Sequence, residues 1–175
     1  VRARAFETLG PSGNPNGYVS LVIADQYTDT LATLTLTNPT YAAQSQALAQ
    51  SVFNTLQEYR PAGIFVNVQT AQVVLQPIVL SLSFAAGVNA DTVALAVRSA
   101  VVTYINNLNP GDDLTFEALK AVTLSISGVV DNGNPIYSPP LNPGDSIVTT
   151  PLQVLRTSLS IVRANASTAG SPLGG

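Results

Sequence analysis

The sequence predicts an α+β fold, and three features of it do so. A β-branched run at Tyr18–Ala24, a helical stretch at Thr40–Glu58 and a second β-branched run at Ile64–Gln69 make a unit of βαβ size. Beyond it, two amphipathic helices, Asp91–Asn107 and Leu114–Ser127, follow one another across a Pro-Gly turn. Short apolar runs flank them at Val73–Phe84 and Leu152–Arg163. The expected architecture is a βαβ unit, a strand pair, two consecutive helices and closing strands, in one or two small subdomains. The divisions are an upstream end and linker at 1–17, a βαβ subdomain at 18–70, an α+β subdomain at 71–165 and a flexible tail at 166–175.

The elements follow in order. Val1–Gly10 reads as the end of a helix closed by Leu9-Gly10, and Pro11–Gly17 as a linker, because breakers recur at close intervals. In Tyr18–Ala24, Val19, Leu21 and Ile23 share a face; Val22 is apolar as well, so both faces are expected to be covered. Asp25–Thr30 is turn-like, and Leu31–Thr37 alternates Leu and Thr as a short strand or loop. Asn38-Pro39 starts a helix: Asn accepts free N–H groups, and Pro tolerates the first helical position because its missing N–H would have no partner there. Leu48, Val52 and Leu56, joined by Ala49 and Phe53, form its apolar stripe, and Pro61 ends it.

Ile64–Gln69 is then a strand, and the intervening helix favours parallel pairing with Tyr18–Ala24. Within Val73–Phe84, Pro77 is expected at an edge or bulge, with Val79, Leu80 and Leu82 building a sheet face. Asn89 caps the next helix, and Asp91 in its first turn suits the dipole. Val93, Val97, Val101, Tyr104, Ile105 and Leu108 keep helical spacing, with Arg98, Ser99 and Asn106 on other faces. Pro110-Gly111 is a type II turn signature. Thr115 caps the following helix, with Phe116, Leu119, Val122 and Ile126 inward and Gly128 as its left-handed terminus. Val129-Val130 begins a strand, Asp131–Pro135 is a turn, and Asn142-Pro143-Gly144-Asp145 repeats the tetrapeptide Asn109–Asp112, which we read as one turn chemistry used twice. Leu152–Arg163 is a closing strand.

Composition narrows the function. Of 175 residues, 46% are apolar and only 10% charged, and mean hydropathy is +0.28. Ordinary domains carry about 25% charged residues. A neutral polar surface with apolar residues to spare suits a subunit packed among neighbours. The net charge is −3 and no Lys/Arg-rich run occurs, which argues against a phosphate-binding footprint. No apolar run approaches the roughly 20 residues of a membrane-spanning helix. A chain that starts at Val1 and has no methionine reads as the C-terminal part of a longer product.

Catalytic chemistry finds little footing. Without His or Cys the usual nucleophile–base pairs and thiolate metal sites are excluded. Lys120, the only lysine, sits beside Glu117 on a helix and reads as a solvated charge. Asp112-Asp113, Asp131 and Asp145 are oxygen donors in turns, but none has the spacing of a calcium loop. Neither a phosphate-binding glycine loop nor a marked carboxylate pair appears. The residues predict no enzyme, cofactor or metal. Arg60, at a helix C-terminus, either complements the dipole or reaches another subunit.

The run Arg60–Val130 resembles the C-terminal half of the baseplate J-like family, the wedge proteins of contractile phage tails and related injection machines. The resemblance rests on the Arg60-Pro61-Ala62-Gly63 turn after a helix and the β-rich Val73–Phe84. It continues through the helix to Asn107, the Leu108-Asn109-Pro110-Gly111-Asp112 turn, a second helix and the Gly128-Val129 step. In order, the match covers about Tyr18–Val130. It implies a structural wedge component that surrounds a central hub and relays the contraction signal. The implied partners are other wedge proteins, hub or spike proteins and copies of itself, with no nucleic acid and no membrane. The implied location is the virion, after synthesis in the bacterial cytoplasm. Arg60, Asp112 and Asp113 are the candidate interface residues. The alternatives are another tail or adhesin domain, or a tail-associated hydrolase.

Overall fold

A computed structural model describes residues 2–9, 15–25, 39–131, 133–134 and 136–166. Its fold is α+β, with three helices among the described residues and several small sheets. In chain order the elements are β1 (Arg2–Leu9), β2 (Pro15–Ala24), α1 (Pro39–Tyr59), β3 (Phe65–Thr70), β4 (Gln72–Leu75), β5 (Ile78–Phe84), α2 (Ala90–Asn106), β6 (Leu114–Thr115), α3 (Phe116–Leu124), β7 (Val129–Val130), β8 (Ile136–Ser138), β9 (Ser146–Ile147), β10 (Gln153–Arg156) and β11 (Val162–Ala166). They form two compact units. One comprises 1–75, 108–112 and 148–156; the other 76–107, 113–147 and 157–175. The first change of unit thus falls at Leu75/Gln76, and two later segments return to the first unit. The expected division was contiguous, at 70/71.

In the first unit β1, β2 and β3 form a sheet in that order, β1–β2 antiparallel and β2–β3 parallel. The helix α1 lies between β2 and β3 in the chain and packs against β3, as a βαβ unit requires. Directly paired residues share a face. One face therefore carries Phe6, Val22, Ala24 and, further along, Tyr18 and Phe65; the other carries Ile23, Val66, Val68 and Thr70. Val22 and Ile23 are both buried, so the C-terminal half of β2 is covered on its two sides; its first half is not, and Tyr18 there is exposed. A second, two-stranded sheet pairs β4 parallel with β10. Val22, Ala24, Ala71 and Val154 form a buried cluster, with Phe6 and Val73 packed on it.

Three expectations for this unit are corrected. Val1–Gly10 is not a helix end: Arg2–Leu9 is strand β1. Its register with β2 puts Phe6 on the face of Val22, where it packs on the buried cluster, and eight residues of pairing with β2 outweigh alanine's helical preference. Pro15-Asn16-Gly17 belongs to β2 and not to a linker. The register shift between Thr8 and Leu9 absorbs these breakers, and Gly17 takes a left-handed φ of 73°. The residues at 11–14, like Asp25–Thr30 beyond Asp25 and Leu31–Thr37, lie outside the described residues. Val73–Phe84 holds two strands, as the expected strand pair requires, but they do not pair with each other: β4 pairs with β10 and β5 with β11. Gln76-Pro77 separates β4 from β5, and the two belong to different units.

In the second unit β5 is central. It pairs parallel with β11 on one edge, and antiparallel with β8 and then β7 on the other. Ile78, Leu80 and Leu82 form its fully buried face; Val79 points the other way, contrary to its expected grouping with Leu80 and Leu82. α2 packs on β11, with Val97, Val101 and Ile105 buried, and α3 packs on α2. Asn89 caps α2 by accepting from Thr92 N at 3.0 Å, and Thr115 caps α3 by accepting from Ala118 N at 3.2 Å.

The sequence places α3's end three residues late. It stops at Leu124, and Gly128, left-handed at φ 94°, closes a separate turn before β7. The shorter helix buries Phe116, Leu119 and Thr123 and leaves Val122 and Ile126 half-buried. Thr123 is tolerated there because its hydroxyl donates to Leu119 O at 2.8 Å. Leu152–Arg163 is likewise two strands, β10 and β11. The break at Thr157 is held by Asn106, whose side chain accepts from Thr157 N at 2.9 Å and donates to Thr157 O at 3.0 Å. Arg98 donates to Val162 O at 2.8 Å and also to Leu159 O.

Candidate interaction surface

Half of one sheet face in the first unit is open. Where β2 and β3 end, Val22 and Ala24 are covered by Ala71 and Val154. Where the same strands begin, Tyr18 and Phe65 are directly paired and stay 48% and 51% exposed. Their rings stack with centroids 4.9 Å apart and planes 19° apart. A burial of either ring against a partner removes a large apolar area from water at little entropic cost, because each has two side-chain torsions.

Arg60 completes this surface. The helix α1 ends one residue before it, and Arg60 N still donates to Leu56 O at 3.0 Å. The chain then turns through Pro61-Ala62-Gly63, with Gly63 at φ 87° and Ile64 N donating to Pro61 O. That turn returns the backbone beneath the guanidinium. Arg60 Nη1 donates to Ile64 O at 2.6 Å, and its Cζ stands 5.8 Å from the Phe65 ring centre. Arg60 thus has an internal role, clasping the turn. Its charge nonetheless remains exposed beside an exposed aromatic pair. Its neighbour Tyr59 is 78% exposed.

Asp112 lies in a different setting. Its Oδ2 accepts from Asn109 N at 2.9 Å and from Asn109 Nδ2 at 2.8 Å, while Oδ1 stands 3.4 Å from Arg4 Nη1. Arg4 also donates to Pro110 O, and Gly111 N to Gln153 O at 2.7 Å. The carboxylate therefore closes the turn and pairs it with Arg4 of β1, while the backbone of Gly111 ties the turn to β10. Asp113 is exposed and belongs to the other unit. Arg60 is the one of the three candidates that stands at the aromatic surface.

The remaining turn carboxylates are engaged in the same manner. Asp145 Oδ2 accepts from Asn142 N at 2.8 Å and from Asn142 Nδ2 at 3.2 Å, so the two Asn-Pro-Gly-Asp turns share one geometry. Glu117 accepts from Gly144 N at 2.7 Å. Asp131 accepts from Gly133 N at 2.8 Å and pairs with Lys120 Nζ at 3.1 Å. That backbone donor first, and Lys120 second, hold the Asp131 carboxyl below its usual range. Lys120, expected to be simply solvated, ties α3 to Asp131 and, by donating to the backbone O of Gly133 at 3.0 Å, to that residue as well. Among the described residues, no three His, Cys, Asp or Glu side chains gather as metal ligands, and no helix is long and apolar enough to cross a membrane.

Sequence reasoning missed Tyr18 and Phe65. In the sequence each reads as a strand residue, and only the parallel register that aligns position 18 with position 65 makes them a pair. It also missed Arg156, which is fully buried and donates to Leu108 O at 3.1 Å and Leu155 O at 2.7 Å. No known protein-family model matches this sequence, and no curated protein matches it either.

Proposed function

We propose that this chain is a structural subunit of a contractile-tail baseplate, a wedge component that works by binding neighbouring subunits and carries out no reaction on a small molecule. The observation that supports an assembly role is the exposed Tyr18–Phe65 stack with Arg60 above it. Aromatic residues and arginine are the side chains most enriched where protein surfaces meet. The baseplate setting rests on the resemblance carried by the ordered turns and helices of Arg60–Val130. An adhesin or tube domain built as a β-sandwich fits less well, because α1 has 21 residues and α2 has 17.

The test is a triple substitution, Tyr18→Ala with Arg60→Ala and Phe65→Ala, in a contractile particle that carries this chain. The expected outcome is a chain with unchanged circular dichroism that fails to enter particles. Particles that assemble normally with the substituted chain would refute the role assigned to this surface.

A further inference from the structure

We infer that β3 is a self-pairing edge: it joins antiparallel to β3 of a second copy, about a two-fold axis at Val68. The inference builds on the assembly reading by naming one partner. It stands on three observations at β3 itself.

First, β3 is hydrogen-bonded to β2 alone among the described elements, so its outer row of backbone groups faces away from the sheet. Edge strands that stay single are usually guarded by charges, prolines or bulges. The opposite edge, β1, has such guards in Arg2, Arg4 and Glu7 and in its register shift. β3 reads Phe-Val-Asn-Val-Gln-Thr, with no charge, no proline and no bulge.

Second, the strand is its own complement. With Val68 on the axis, Val66 faces Thr70 of the copy, Val68 faces Val68, and Asn67 faces Gln69. β-Branched side chains then meet β-branched side chains on the helix side, and amides meet amides on the other side. These are favourable cross-strand pairs, and no like charges oppose one another. A two-fold contact requires this kind of self-match, since each residue must suit its counterpart in both directions.

Third, there is room on the helix side. A groove of about 360 Å³ lies elsewhere, at Asn134 and Leu141, but its asparagines already bond within their own loop. The groove between α1 and β3, about 310 Å³, is lined by Gln46, Ala49, Gln50, Val68, Gln69 and Thr70. It carries no charge, which fits the uncharged side chains that an incoming β3 would present. Tyr18 and Phe65 fall outside the five paired residues, so this edge and the aromatic surface can be tested separately.

The chain has no cysteine, so a single introduced thiol reports the register directly. Opposed residues in antiparallel strands stand about 4.5–5.5 Å apart at Cα, within the roughly 4.4–6.8 Å that a disulfide spans. Val68→Cys should cross-link two copies under mild oxidation. Val66→Cys lies about 13 Å from its own counterpart in this register and should cross-link at least about tenfold more slowly. Combining Val66→Cys with Thr70→Cys should restore cross-linking. Far-UV circular dichroism of each variant establishes that it folds. The unmodified chain should sediment as a dimer of twice 18.1 kDa at high concentration. A monomer at every concentration overturns the pairing, as does a dimer in which Val68→Cys and Val66→Cys cross-link equally. Either result leaves the wedge role to be decided by whether the chain is found in particles.

Discussion

At the scale of single residues, the two Asn-Pro-Gly-Asp turns form a controlled comparison. Gly111 and Gly144 both have positive φ, 75° and 91°. A Cβ on Gly111 would stand 2.9 Å from Arg4 Nη1 and 3.0 Å from Pro151 Cα; one on Gly144 would meet nothing within 4 Å. Alanine at either position costs about 1–2 kcal/mol for the left-handed backbone. Gly111→Ala adds a steric cost against backbone, about 1 kcal/mol more. Urea unfolding of the two variants checks this, and equal losses would contradict it. Arg156→Ala should cost about 3 kcal/mol, through a cavity and two carbonyls that lose a buried donor. Arg163→Ala, on an exposed side chain, should change stability by about 0.5 kcal/mol or less. Asp131 gives a pH signature. Its folded pKa is depressed, so its contribution to stability is present above the unfolded value and is lost as pH falls through the folded one. Lys120→Ala should move the Asp131 titration upward in an NMR pH series, and an unmoved midpoint would show that the ion pair contributes nothing.

At the scale of elements, the caps are predicted to be independent. Asn89→Ala and Thr115→Ala each remove one acceptor from a helix N-terminus and should each cost about 1 kcal/mol. The helices were the most legible part of the sequence because local chemistry defines their ends: Asn89, Thr115 and Pro61 act on their own neighbours. The strands were less legible because their limits depend on distant partners. Val73–Phe84 and Leu152–Arg163 each read as one apolar run, and each is two strands. Both runs contribute to both units, β4 pairing with β10 and β5 with β11. The breaks are held by tertiary bonds, Thr157 to Asn106 and to Gln76 O, that no local pattern contains. β1 is hard to read for a related reason: Ala and Arg favour helix on their own, and only pairing with β2 makes Arg-Ala-Arg-Ala a strand. Of the candidate site, Arg60 was visible as a charge at a helix end. Its aromatic companions were not, since Tyr18 and Phe65 are 47 positions apart in the sequence.

At the scale of the whole molecule, a chain with 10% charged residues has few means of keeping other proteins at a distance. It leaves an aromatic pair open at one end of a sheet face and an unguarded strand at the sheet's edge. Those two features belong to the same three-stranded sheet, and both are explained if the chain's working state is an assembly. The most direct measurement is an electron cryomicroscopy image of contractile particles in which this chain carries a tag. The account predicts density for the chain in the ring around the tail axis, with Tyr18 and Phe65 buried against a neighbouring subunit. Particles that lack the chain, or that contain it with this surface open to solvent, would contradict it.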